Sequence, residues 1–155
     1  MVNAYFMDSS ALIKRYVAET GTGWIQVIAD PPAHNRLIIA RITWVEVLSS
    51  LARRQREDSL SPEQMDRAIR SFRYDFDMQY QVVEIDRTLT ETAGQLVTRH
   101  PLRAYDAIQL ASALHIQPSF AHARFTSLTF LTADDRLFIA ARAEGLHTDN
   151  PNHHP

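Results

Sequence analysis

The chain contains no cysteine. That excludes a disulfide framework, a thiol nucleophile and any cysteine-ligated zinc or iron–sulfur centre. Lysine is nearly absent: Lys14 is the single one among 16 basic residues, and the rest are arginine. Glycine occurs only four times, and no apolar run approaches the ~18 residues of a membrane span, so neither a flexible linker nor a membrane helix is expected. An excess of positive charge is missing as well. The 16 basic and 18 acidic residues leave a net charge of −2, which supplies no overall field to draw in a polyanion. A nucleic-acid partner would have to be held by a local patch of arginines, whose flat, forked donors suit phosphate and stacking contacts. Residues 1–8 carry no basic stretch and an early aspartate, so no secretory signal is expected and the cytoplasm is the default location.

What remains is the composition of one ordinary domain: 155 residues, 45% hydrophobic and 22% charged, enough to build a core without staples. Prolines punctuate it, at Pro31-Pro32, Pro62, Pro101, Pro118 and Pro151. A single domain over 1–149 is expected, followed by a polar tail over 150–155. Short apolar runs predict strands at 4–7, 37–40, 81–85 and 128–132, and a brief fifth is available at 146–148. Between them lie helical patterns at 10–17, 22–29, 44 to about 56 (with Thr43 as its cap), 62 to about 76, 87 to about 99, 104–115 and 135–144. Ser61-Pro62-Glu63-Gln64 is a strong helix start, with serine as the cap, proline in the first position and glutamine three residues on. Strands alternating with helices imply an α/β fold of three layers, helices on both faces of a four- to five-stranded, mainly parallel sheet. Ligands bind such sheets beyond the carboxyl ends of the strands, near the point where strand order reverses.

Acidic residues fall at that edge. Asp8 directly follows the first strand, and Asp134 follows the fourth. Glu46 lies in the apolar stretch Trp44-Val45-Glu46-Val47-Leu48, and Asp106 in the first turn of the helix beginning Ala104-Tyr105-Asp106. Taken singly, each has a plainer explanation. Asp8 and Asp134 read equally as helix caps, Asp106 as an acid favoured by a helix dipole, and Glu46 as part of a solvated face. Together they pose an electrostatic problem: two carboxylates ~5 Å apart repel by about 3 kcal/mol at an effective dielectric of ~20. Oxygen ligands alone select a hard cation, Mg2+ or Mn2+, and such an ion suits phosphoryl chemistry.

The segments around these acids resemble the motifs of PIN-domain nucleases. Phe6-Met7-Asp8-Ser9-Ser10-Ala11-Leu12-Ile13-Lys14 is similar to the opening motif, Val45-Glu46-Val47-Leu48-Ser49-Ser50-Leu51 to the second, Arg103-Ala104-Tyr105-Asp106-Ala107-Ile108-Gln109-Leu110-Ala111 to the third, and Phe130-Leu131-Thr132-Ala133-Asp134-Asp135-Arg136-Leu137 to the fourth. Their order spans the chain. Of the adjacent pair in the fourth motif, Asp134 matches the family's acid by its place after Thr132-Ala133. A free-standing domain of this size looks most like a VapC toxin of a type II toxin–antitoxin pair. The resemblance implies a PIN-like fold and a Mg2+- or Mn2+-dependent endoribonuclease acting on tRNA or rRNA. It also implies a VapB-like antitoxin partner and a homodimer.

On this reading Asp8, Glu46 and Asp106 hold a divalent ion, and Asp134 completes its outer shell or helps hold a second. Glu46 is the preferred base for the attacking water. Ser9 and Thr132 support the carboxylates or a phosphate, or merely cap locally. Lys14, Arg15 and Arg103 are candidate phosphate contacts. Tyr105 either stacks a base or packs. Arg53, Arg54 and Arg56 form a basic helix end, explained by the dipole or by an interface. Trp24, Trp44, Tyr74 and Phe76 are read as core. The histidines, His34, His100, His115, His122, His147 and the His153-His154 pair, lack ligand spacing and are given no catalytic part. The rivals are a silent PIN-like module that binds RNA or protein without cutting, a phosphoacceptor receiver domain and a haloacid-dehalogenase-type phosphatase. The receiver lacks its acidic pair and late lysine, and the phosphatase lacks an aspartate at position 10, which is Ser10.

Overall fold

The computed structural model describes residues 2–121 and 127–155. The chain enters the sheet at β1 (Ala4–Met7), makes the short helix α1 (Ser9–Leu12) and a 3-10 turn (Ile13–Arg15), and continues through α2 (Thr22–Ala29) into β2 (Arg36–Ala40). Two long helices follow, α3 (Thr43–Arg56) and α4 (Pro62–Met78), then β3 (Tyr80–Val83), α5 (Arg87–Arg99), α6 (Ala104–Ile116) and the single turn α7 (Pro118–Ala121). The last elements are β4 (Leu128–Leu131), α8 (Asp135–Ala143), β5 (His147–Asp149) and a 3-10 turn (Pro151–His153). The five strands lie in the order β3-β2-β1-β4-β5, and every pairing is parallel.

Burial follows from the alternation of side chains along each strand. On β1, Ala4 and Phe6 face one layer, where Phe6 stacks on Phe130 at 5.6 Å between ring centroids, above residues of α5, α6 and α8. Met7 faces the other layer, with Ile25, Val47, Leu51, Phe72 and Phe76 from α2, α3 and α4. A strand covered on both faces has no polar side, which is why β1 and β2 read as continuous apolar runs. Helices α4 and α5 begin where the sequence says. Ser61 and Gln64 form a reciprocal capping box at α4, and the Asp86 carboxylate accepts the Leu89 amide at the start of α5.

Four expectations are corrected. The helix expected over 10–17 is an α-turn tightened into a 3-10 turn, ending at Arg15. Thr43 is the first residue of α3 rather than its cap; its hydroxyl is buried and accepts a hydrogen bond from Gln109 instead. Tyr74 is 67% exposed on α4 and belongs to no core, whereas Phe76 does. Trp24 and Trp44 are half-buried edges of the core. The segment over 150–155 is polar in composition yet packs on the fold: Asn150 and Pro151 are buried, and the His154 ring stacks on Trp24 at 4.0 Å.

That packing depends on Gly21, which precedes α2 with φ of 87°. A Cβ at this position would stand 2.3 Å from the Pro151 carbonyl oxygen. Gly21→Ala is therefore expected to cost about 2–3 kcal/mol, from the left-handed backbone and the overlap together. Gly23→Ala, which meets open space inside α2, should be neutral or stabilise by up to about 1 kcal/mol. Urea denaturation of the two variants beside the wild type checks the contrast, and equal stabilities would refute it.

Candidate active site

β1 and β4 are neighbours at the centre of the sheet, and β2 and β5 lie outside them on opposite sides. The strand order therefore reverses between β1 and β4, and a crevice opens beyond their carboxyl ends. The register pairs Met7 with Leu131, so the next residues, Asp8 and Thr132, meet. Thr132 Oγ1 donates to Asp8 Oδ2 at 2.6 Å. Asp8 Oδ1 accepts from Ser10 Oγ at 2.7 Å and from the Ala11 amide at 2.9 Å, which caps α1. The Asp134 amide donates to Thr132 Oγ1 at 3.1 Å, and the Asp134 carboxylate accepts the Leu137 amide to cap α8. The capping reading of these two aspartates thus holds, and it does not compete with a place at the sheet edge.

Glu46 sits in the first turn of α3 and Asp106 in the first turn of α6. Ser9 Oγ donates to Glu46 Oε2 at 3.1 Å, and Gln109 Nε2 donates to Oε1 at 2.7 Å. Gln109 is one turn beyond Asp106 on α6, so a single buried amide ties α6 to both Glu46 and Thr43. Glu46, Asp106, Asp134 and Ser9 line one cleft of about 750 Å³, which also takes in Lys14, Arg103 and Tyr105. Asp8, only 3% exposed, lies beneath it.

The electrostatics follow from this crowding. Burial pushes the Asp8 carboxyl up to about 7, against the three hydrogen bonds that favour its ionised form; Glu46 raises it further. Glu46 is also raised, first by burial and then by Asp106, while Gln109 and Ser9 oppose the shift. Asp106 is raised by burial and by Asp134, with Arg103 and Arg136 opposing. The four acids therefore form an electrostatically coupled row, Asp8–Glu46–Asp106–Asp134. Among the described residues none of them is ion-paired with a lysine or arginine.

The described residues hold no group of three acids or imidazoles close enough to enclose an ion by themselves. The donors are nonetheless all oxygen. The Gln109 carbonyl oxygen beside Glu46 is buried without a hydrogen-bond donor, an acceptor that a water in an ion's shell would satisfy. These features fit a hard dication that retains water, as Mg2+ does.

The other expected residues divide. Ser9 and Thr132 support carboxylates, as described. Lys14 and Arg103 border the cleft, and Tyr105 is exposed at its rim. Arg15 is a correction, since it does not line this cleft: on the same layer of the sheet it turns toward α4 and β3, donating to Gln79 Oε1 at 2.8 Å and Tyr80 Oη at 2.6 Å, with Asp75 at 3.3 Å. Asp135 turns toward Asn150 Nδ2, at 3.4 Å, away from the other acids. His100 pairs with Glu144 and His154 with Asp149; His122 lies outside the described residues. Sequence reasoning assigned no role to Ser10 or Gln109. The available signal was polarity: Gln109 interrupts the apolar run 107–111 on the same helical face as Asp106.

The PIN domain family model matches residues 5–143. Ribonuclease VapC45 of Mycobacterium tuberculosis is 30% identical over 140 residues, covering 90% of each chain. Among solved structures, VapBC2 of Rickettsia felis bound to a DNA fragment of its promoter is 14% identical, covers 95% of this chain and 98% of its own, and superposes with a TM-score of 0.62. VapC20 of Mycobacterium tuberculosis, a sarcin–ricin-loop-cleaving toxin, is 16% identical, covers 92% and 95%, and has a TM-score of 0.61. The two structures share the fold seen here. With nearly the whole chain matched and the acids gathered at the switch point, the chain belongs to the PIN domain family, among relatives of the VapC ribonuclease type.

Proposed function

We propose that the protein is a VapC-type toxin, an endoribonuclease dependent on Mg2+ or Mn2+ that cuts tRNA or rRNA in the cytoplasm. In this reading it acts as a homodimer and is neutralised by a VapB-like antitoxin. The observation that carries the reading is the row of four carboxylates from four separate segments, gathered at one crevice and, among the described residues, in no ion pair with a lysine or arginine. The structural neighbours VapC20, a sarcin–ricin-loop-cleaving toxin, and VapBC2 support the substrate class and the partner.

Asp8, Glu46 and Asp106 would hold the divalent ion, directly or through water, with Asp134 in its outer shell or at a second ion. When bound, the ion stabilises charge on the phosphate oxygens and makes a neighbouring water more acidic. The chain's own residues do the rest. Glu46 accepts a proton from the water that attacks the RNA phosphate, and its raised pKa makes it the stronger base. Ser9 and Gln109 hold both Glu46 oxygens, fixing the direction of that transfer. Ser10 and Thr132 hold Asp8 still. Lys14 and Arg103 border the position where the phosphate enters. The water attacks in line and the RNA 2′-hydroxyl takes no part, so the products carry 5′-phosphate and 3′-hydroxyl ends.

Two measurements test the reading. In chelator-treated protein near pH 8, Asp8→Asn should raise the melting temperature by a few degrees, because it removes a buried charge and keeps the cap acceptor. Mg2+ or Mn2+ should then raise the melting temperature of the wild type and leave the variant unmoved; an equal response of both would remove the ion from this site. Sequencing of RNA 5′ ends after induction should show a defined cut in tRNA or rRNA that Asp8→Asn abolishes. Ends bearing 2′,3′-cyclic phosphate would rule out the proposed chemistry.

A further inference from the structure

We propose that the half of the cleft running along the C-terminal part of α3 is a binding subsite for backbone phosphates of single-stranded RNA, built from Lys14, Arg53, Arg54 and Arg56. This rests on the nuclease reading above and extends it to how the substrate is held. The acidic centre by itself repels an RNA backbone, and the net charge of −2 supplies no field to offset that. Affinity must come from cations inside the same cleft, and these four line it together with Glu46 and Asp134.

Lys14 is the strongest indication. It is 5% exposed, and among the described residues its ammonium meets only the Glu19 carboxylate, at 3.6 Å, beyond hydrogen-bond length. Its stem is buried while the ammonium borders the cleft, where its donors, not bonded by Glu19, can meet an anion. Glu19 also takes Arg54 Nη2 at 3.0 Å, and Arg54 Nη1 donates to Ser50 at 2.6 Å. One carboxylate thus fixes two cations in place without cancelling the patch. Arg53 and Arg56 are exposed and, among the described residues, ion-paired with nothing. The helix dipole explains a basic last turn of α3; it does not explain arginines turned into the cleft that holds the acids.

The spacing sets the reach. Arg53 and Arg56 lie about 10 and 15 Å along the helix axis from Glu46, at 1.5 Å per residue. A stacked strand rises about 3.4 Å per nucleotide, so the subsite holds phosphates about three to four nucleotides from the cut, on one side only. Substrates too short to reach it lose binding, while the chemistry at the carboxylates is unaffected.

The test measures binding of a fluorescein-labelled single-stranded oligoribonucleotide of about twelve nucleotides across a salt series, in an Asp8→Asn background so that the RNA stays intact. Arg53→Gln/Arg56→Gln should lower the slope of log affinity against log salt by about 1.4, at ~0.7 for each phosphate no longer neutralised. Arg53→Lys/Arg56→Lys should restore the slope, and Arg142→Gln, at the far end of α8, should leave it unchanged. In the cleaving protein the glutamine pair should raise KM with kcat roughly unchanged. If the Asp8→Asn protein binds RNA with the same slope with or without the arginine pair, the subsite falls and the nuclease reading stands. If it binds no RNA and the wild type cuts none, the nuclease reading fails first. An unchanged RNA slope with abolished binding of polyglutamate would assign the patch to an acidic protein segment and overturn the proposal.

Discussion

The parallel pairing of β1 with β4 governs the rest of the cleft. By placing Met7 beside Leu131 it forces the two chain segments to leave the sheet together, and it buries the Asp8 carboxylate against the Thr132 hydroxyl. An isolated buried carboxylate is expensive. Here three donors reduce the cost without removing it, and the carboxyl stays raised to about 7. Asp8 is thus both the cap of α1 and the innermost of the four acids. The position can serve both purposes because a carboxylate has more lone pairs than a cap uses.

Around that point the fold sorts charge into two regions of one cleft. The acids sit where helices α1, α3, α6 and α8 begin, and Arg53, Arg54 and Arg56 sit where α3 ends. A helix tolerates this arrangement, since acids are favoured near its N-terminus and bases near its C-terminus. The same polarity places Glu46 and Arg53 on one face of α3, two turns apart. A phosphate backbone laid along this helix meets attraction first and the acidic row last. Glu19 and Gln109 are the fixed points of the two regions. Each binds two partners from other segments, and neither contains the chemistry itself.

Much of this is legible in the sequence, for identifiable reasons. Ala4–Met7 reads as a continuous apolar run because both faces are covered. Ser61, Asp86 and Asp134 mark helix starts because a cap is a local bond, formed by residues three apart. Three of the misreadings concern long-range partners. Arg15 follows Lys14 directly, yet the 3-10 turn sends Lys14 toward Glu19 and the cleft and Arg15 toward Asp75 and Tyr80. Thr43 has the residue type of a cap, but a buried amide 66 positions away claims its hydroxyl. The segment over 150–155 reads as polar because its composition is polar, and the Trp24 ring that receives His154 lies elsewhere in the chain.

Taken alone, the sequence determined the alternation of strands and helices, the sites of four acids beside element ends, and the absence of thiol ligands. These are properties of neighbouring residues and of composition, set by backbone periodicity and side-chain chemistry. Only the tertiary structure decided that Asp8 and Thr132 touch, that Gln109 holds Glu46, that Asp134 and not Asp135 faces the other acids, and that Arg15 is turned away. Those outcomes depend on strand order, register and helix rotation. They arise from packing two apolar faces of a sheet at once, a condition that no short stretch of the chain satisfies by itself.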